Sequence, residues 1–271
     1  MKNLKPIIGI LAVLLAACGG LTDEQLSQKL LEEAQVHFAK KEVNAAKLLI
    51  DSIHTTYPKI VKTRRMADTL SWRIEQFEID RNLPYIDSVL MVKTEEFEVQ
   101  KKLFRFEKDD KYQDVGNFVI KSQKTEANVD RNYVKPYTDE NGNFYVMSYY
   151  IGSKLQHNAL RANVGELFAE TETVSPADVH EYNDGGVHRE MVLFRNDMLG
   201  GFPQFIAENE AEKVKITLLG KRSYSYFLPQ SDKEAFLKTF RLSSLLKDMC
   251  EMRLQQKKMQ LRQLQLIPKL Q

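Results

Sequence analysis

Residues 133–151 read YVKPYTDENGNFYVMSYYI. Tyr133 to Tyr137 and Phe144 to Ile151 are rich in aromatic and β-branched residues. They flank Asp139-Glu140-Asn141-Gly142, where Asn and Gly supply the positive φ that a tight turn needs. The stretch therefore predicts a β-hairpin, and the middle of the chain reads as antiparallel sheet. More strands follow on both sides: Asn117 to Ile120, the alternation of Leu160, Ala162 and Val164, then Leu167 to Val174 and Val187 to Phe194. Val214, Ile216 and Leu218 alternate with polar residues, Gly220-Lys221 turns the chain, and Tyr224, Tyr226 and Leu228 return on one face. Gly201-Phe202-Pro203 opens a short helix through Asn209. Seven or eight short strands predict a β-sandwich-like or partly open barrel middle over residues 111–229.

Outside that region the apolar period changes from about 2 to about 3.6. Thr22-x-x-Gln25 is a capping box, followed by Leu26, Leu30, Ala34 and Phe38. A second helix carries Ala46, Leu49, Ile50 and Ile53, with Pro58 at its end. A third runs from Lys59 to about Asp80 through Met66, Leu70, Ile74 and Phe77, and Asn82 and Pro84 are expected to break it. A fourth runs to about Lys108. Its residues Tyr85, Val89, Val92, Glu96, Val99, Leu103 and Phe106 form a heptad-like, coiled-coil seam, which Ile86, Leu90, Phe97 and Phe104 widen. Residues 23–110 thus read as a helical region. Ser231-x-x-Glu234 starts a long amphipathic helix over 230–267 with Phe236, Phe240, Leu245, Met249 and Met252 on one side. Pro268 is expected to end it. The fold class is α+β: an N-terminal helical hairpin and long helices, the antiparallel middle, and a C-terminal helix packing back on the helical region.

Ala34, Ala46 and Pro58 are spaced twelve apart. Small residues at the first two places let two helices approach closely. The hairpin over residues 24–58 resembles a single degenerate tetratricopeptide repeat. It departs from that pattern at Phe38, one place late for the usual aromatic, and no second copy follows.

The chain begins MKNLKPIIGILAVLLAACGG. Lys2 and Lys5 precede an apolar run from Ile7 to Ala17, a signal-peptide pattern too short to span a bilayer. Leu15-Ala16-Ala17-Cys18 resembles the lipobox of bacterial lipoproteins. The resemblance implies a signal peptide over 1–17, cleavage before Cys18, acylation of Cys18 and attachment to the lipid bilayer through it, with residues 18–22 as a tether. Gly19, where Asp would favour inner-membrane retention, points to the outer membrane. Asp23 and Glu24 leave open which face the protein occupies.

The leader takes two lysines and no acid, so the 39 basic and 37 acidic residues of the chain balance without it. Balance argues against a nucleic-acid partner. With Cys18 lipidated, Cys250 has no intrachain partner and reads as a small core residue. The C-terminal helix is basic, with Lys238, Arg241, Lys247, Arg253, Lys257, Lys258, Arg262 and Lys269 against Asp248 and Glu251. That face could meet anionic lipid or an acidic partner, or be solvated.

Candidate chemistry is sparse. Asp178, His180, Glu181, Asp184, His188 and Glu190 cluster around Gly185-Gly186, but their spacing matches no metal motif. They are expected to be solvated loop residues, and no metal or cofactor is expected. His37 and His54 read as surface or packing residues. No nucleophile elbow, phosphate loop or Cys-His pair is present. Tyr133, Tyr137, Tyr145, Tyr149, Tyr150, Tyr224 and Tyr226 are concentrated in the β region. They could pack the strands or, at Tyr133, Tyr145, Tyr149, Tyr224 and Tyr226, stack a sugar or peptide. The expectation is a non-enzymatic, membrane-anchored cell-envelope lipoprotein that acts as a scaffold or binds an envelope protein partner. The alternative is a carbohydrate- or peptide-binding lipoprotein using those tyrosines.

Overall fold

The computed structural model describes residues 21–123 and 128–271, so the expected signal peptide, the LAAC stretch at 15–18 and its Cys18 lie outside the described residues. The fold is α+β. The chain forms two compact units: residues 258–271 join residues up to Pro84 in one, and Tyr85–Lys257 make the other.

In the helical unit, α1 (Asp23–Ala39) and α2 (Val43–Thr56) form the expected hairpin. Thr22 accepts from the Gln25 backbone N–H at 3.3 Å, and its own N–H donates to Gln25 Oε1 at 2.9 Å. Ala34 and Ala46 are fully buried with Leu31, Ile50 and Ile53. Against them pack Ala67, Leu70 and Ile74 of α3 (Val61–Gln100). Ser27 Oγ donates to the Glu24 carbonyl at 3.0 Å and lies 3.2 Å from Thr63 Oγ1, so both buried hydroxyls have partners. The last turns of α5 (Gln230–Leu270) pack on α3. Arg262 makes a forked pair with Glu75 at 2.6 and 2.8 Å, Gln263 donates to Asp80, and Leu266 is fully buried.

Three sequence expectations about α3 fail. The helix does not break at Pro84; it is one helix of 40 residues with Pro84 inside it. Pro84 is exposed, so its ring disturbs no packed surface. Polar contacts tie α3 to α5 before the proline, at Glu75 and Asp80, and after it, at Asp87 and Lys93. The helix also ends at Gln100, not near Lys108, and Phe104 and Phe106 belong to strand β1 (Phe104–Glu107). The seam is turned the other way as well. Tyr85, Val92 and Val99 are exposed, whereas Ile86 is buried, and Phe97 packs edge-on to Phe118 at 5.6 Å.

In the second unit, ten strands among the described residues make two antiparallel sheets. The larger has the order β1-β2-β3-β4-β8-β7, with β2 Asn117–Ile120, β3 Tyr133–Asp139, β4 Phe144–Gly152, β7 Val179–Asp184 and β8 Val187–Phe194. The smaller has the order β10-β9-β5-β6, with β5 Ala159–Val164, β6 Leu167–Glu170, β9 Lys215–Leu219 and β10 Ser223–Phe227. The sequence pattern does not predict β1 or β7. Val134, Val146 and Phe194 of one sheet pack with Leu160, Ile216 and Leu218 of the other. The short helix α4 (Phe202–Glu208) and Phe236 of α5 complete this core.

The β3–β4 turn sits against α5. Gly142 has φ +79°, and a Cβ there would lie 2.5 Å from the Lys247 backbone nitrogen, so only glycine fits. Ser243 Oγ donates to the Gly142 carbonyl at 2.7 Å. Cys250 Sγ lies 3.7 Å from the Glu140 carbonyl beside this turn, half-buried, not in the core as expected. The α5 helix starts at Gln230, one residue before Ser231, and Glu234 pairs with Lys238, so the expected Ser231–Glu234 box is not what begins it. Pro268 lies inside its final turn.

Candidate functional site

Strand alternation sorts the tyrosines onto two surfaces. On β3 and β4, Tyr133 is the register partner of Tyr149, and Tyr137 of Tyr145. Both pairs stack nearly flat. Tyr133 and Tyr149 have centroids 4.7 Å apart with a 5° interplanar angle, and Tyr137 and Tyr145 lie 5.0 Å apart at 10°. Such cross-strand aromatic pairs stiffen the sheet. Tyr150, Tyr224 and Tyr226 face the other way, into the core between the sheets. Tyr150 and Tyr224 are 5.3 Å apart, and Tyr224 and Tyr226 are 6.0 Å apart. Of the five residues singled out for stacking, Tyr133 and Tyr149 therefore share one site, but Tyr133 is only 1% exposed, so Tyr149 is the ring of the pair that can meet a ligand. Tyr145 lies farther along the same face, and Tyr224 and Tyr226 lie inside.

A recess of about 110 Å³ opens at Tyr133 and Tyr149. Tyr182, Ile151 and Met191 complete its apolar wall, and Asn128, Arg131 and Arg189 bring polar groups to it. The arginines are held in place. Arg131 lies 4.7 Å over the Tyr133 ring and makes a forked pair with Asp232 at 2.6 and 2.9 Å. Asp232 is fully buried at the start of α5 and also accepts from Gln123 at 2.7 Å. Hydrogen bonding to Asp232 raises the Arg131 pKa further. Arg189 donates to the Val129 carbonyl at 2.6 Å. Asn132 Oδ1 accepts from the Ile151 N–H at 2.6 Å. The segment before β3 is thus fastened to α5 at one point and to β4 and β8 at others. Burial and then the nearby charge of Asp232 push the Tyr226 hydroxyl pKa up, and Tyr226 stays neutral.

Behind this sheet lies a second polar group that the sequence did not reveal. Glu190 is fully buried and accepts from the backbone N–H of Leu155, Gln156 and His157 at 2.6, 2.9 and 3.2 Å. His157 Nδ1 is 2.7 Å from Glu190 Oε2, and its Nε2 is 3.0 Å from Ser148 Oγ. Burial pulls the Glu190 pKa up, but the hydrogen bonds from His157 and the backbone outweigh it and hold the pKa at about 2. Serine, histidine and acid in this order match the connectivity of a hydrolase triad. Ser148 has zero exposure, however, so the geometry anchors the β4–β5 connection and offers no nucleophile to a substrate.

The His/acid cluster is not a loop. It lies on the β7–β8 hairpin, whose two-residue turn is Gly185-Gly186 with φ +58° and +81°. Asp178 pairs with Arg195 at 2.7 Å, and His180 stands opposite Met191. Glu181, His188 and Glu190 converge. His37 at the end of α1 sits beside Glu42, and His54 of α2 sits beside Asp68 of α3.

The signals for the missed residues were weak. Arg131, Asp232, Arg189 and His157 are single residues far apart in sequence, and only the strand order brings them together. No known protein family matches the chain, and neither the curated proteins nor the solved structures give a similar protein.

Proposed function

We propose that this chain is a non-enzymatic, lipid-anchored cell-envelope protein that binds a polypeptide partner, with the tyrosine recess as its contact. The carrying observation is the recess itself: a flat Tyr133–Tyr149 stack beside Tyr182, Ile151 and Met191, with arginines fixed at its rim. About 110 Å³ is somewhat less than the roughly 150 Å³ of an engineered cavity that holds benzene. That space takes one apolar side chain and is small for a sugar ring, which favours a peptide over a carbohydrate. A stiff aromatic surface beside arginine has the composition of a binding hot spot.

A second contact surface supports the scaffold side of the reading. A groove of about 530 Å³ on α1 and α3 is lined by Phe38, Met66 and Leu70, with Gln35, Thr69 and Arg73 around them. Apolar floor and polar rim suit an amphipathic segment of another protein. The LAAC sequence at 15–18 supports anchoring at Cys18, with an outer-membrane destination.

Panning a peptide-display library against the full chain in detergent micelles, beside a glycan array, tests the reading. Peptides with a recurrent apolar residue should be enriched on the wild type and lost on Tyr149→Ala. Selection of glycans and no peptide would overturn it in favour of a carbohydrate binder.

A further inference from the structure

We propose that Glu181, His188 and Glu190 form a binding site for one divalent transition-metal ion of the Zn²⁺ class. One ligand atom from each residue can be chosen so that all lie within 4.8 Å of one another. His188 Nε2 and Glu190 Oε1 are 3.1 Å apart. Two ligands about 2.1 Å from one ion, at roughly right angles to each other, have that separation.

Both ring nitrogens of His188 face oxygen atoms. Its Nδ1 lies 3.2 Å from Asn183 Oδ1. A neutral imidazole that donates from Nδ1 to this oxygen presents a lone pair at Nε2. Nε2 lies 3.1 Å from the Glu190 carboxylate, to which it donates when it carries the proton. A metal ion would take the place of that proton, and the Nδ1–H to Asn183 bond would then be the outer contact that orients a metal-ligating histidine. Glu190 cannot turn away, because three backbone N–H groups and His157 hold its carboxylate. The site therefore has two rigid ligands on β8 and one mobile ligand on β7. Glu181 currently pairs with Lys154 at 2.5 Å, an exposed contact of small energy, and would leave it to close on the ion.

The donor set selects the ion class. One imidazole with two carboxylates favours Zn²⁺ or Cu²⁺ over Mg²⁺ and Ca²⁺, which take all-oxygen sites. Three protein ligands leave at least one coordination position open. Beside Glu181 lies a cleft of about 450 Å³ lined by Gln156, His157, Asn158, Val174, Pro176 and Val179.

The test is calorimetric titration of Zn²⁺ into the full chain in detergent micelles after stripping with chelator. One equivalent should bind. Affinity should fall at least tenfold in His188→Ala and in Glu181→Gln, and rise severalfold in Lys154→Ala, which frees Glu181. Glu181 and Lys154 are exposed, so these two variants remain informative even if changes at Glu190 unfold the protein. Absence of saturable Zn²⁺ binding, or binding unchanged in both His188→Ala and Glu181→Gln, would overturn the proposal. Equal affinity for Mg²⁺ would overturn the assignment of ion class.

Discussion

Tyr133 and Tyr149 lie face to face across β3 and β4, with centroids 4.7 Å apart, and the Arg131 guanidinium lies over the Tyr133 ring. The hydroxyphenyl group of Tyr149 is therefore the wall of the recess that can be removed without touching the Arg131–Asp232 pair. Tyr149→Ala should cost about 1–3 kcal/mol in stability, from lost stacking and partial burial, and at least tenfold in affinity for a selected peptide. Tyr145→Ala removes the equivalent stack with Tyr137 outside the recess. It should cost similar stability and leave affinity unchanged. Equal losses of affinity would mean that sheet stiffness, not the recess, controls binding.

Glu190 links stability to pH. Its pKa in the folded chain is about 2, against 4.5 for the free side chain. A depressed carboxylate pKa contributes stability that is present above about pH 4.5 and lost as pH falls toward 2. The shift corresponds to about 3 kcal/mol. Denaturant unfolding in chelator-containing buffer should show this loss in the wild type. Glu190→Gln should be destabilised by about 3–5 kcal/mol at pH 7, because its donors lose their anion, and should lack the Glu190 part of the acid dependence. A variant as stable as wild type at pH 7 would contradict the hydrogen-bond network described.

Leu266 tests the return of the C-terminal helix. It is fully buried in a stretch where the apolar pattern thins. Leu266→Ala should cost about 2–5 kcal/mol, whereas Leu264→Ala, at a 65% exposed neighbour, should change stability by less than about 0.5 kcal/mol. Thermal melts of the two variants check this, and equal melting temperatures would place the helix end in solvent.

The α+β class, the α1–α2 hairpin and most strands were legible because apolar period and turn residues are local signals. The 133–151 hairpin and the Val214–Leu228 hairpin needed no tertiary information. The failures share one cause, which is that tertiary contacts are invisible in a local pattern. Pro84 reads as a break because the pattern shows its missing N–H but not that its ring falls on an exposed face of α3. The Tyr85–Val99 seam is regular enough to suggest burial. Yet Ile86 and Phe97 take the inner face, and Phe97 meets Phe118 of β2 beside Leu242 and Leu246 of α5. Strand β7 was hidden by its acids and by Gly185-Gly186, which read as loop. In the site, Tyr133 and Tyr149 were visible as residue types. Their separation from Tyr224 and Tyr226 was not, since it depends on sheet order, and no local motif marks Arg131, Asp232 or His157.

Anchoring at Cys18 is tested by metabolic labelling with an alkyne fatty acid in a bacterium that processes lipoproteins. The wild type should be labelled and should remain with membranes. Cys18→Ala should be unlabelled and released from them, and equal labelling of both would contradict the lipobox reading.

Occupancy of the tyrosine recess by a polypeptide can be read by photo-cross-linking in cells. A benzophenone-bearing phenylalanine analogue would replace Tyr182, whose ring borders the recess, and in a parallel strain Leu48, an exposed residue of α2. Ultraviolet irradiation should give a discrete cross-linked protein band from position 182, absent from position 48 and lost when Tyr149→Ala is added. A ladder common to both positions, or a band at 182 that survives Tyr149→Ala unchanged, would show that no polypeptide is held in the recess.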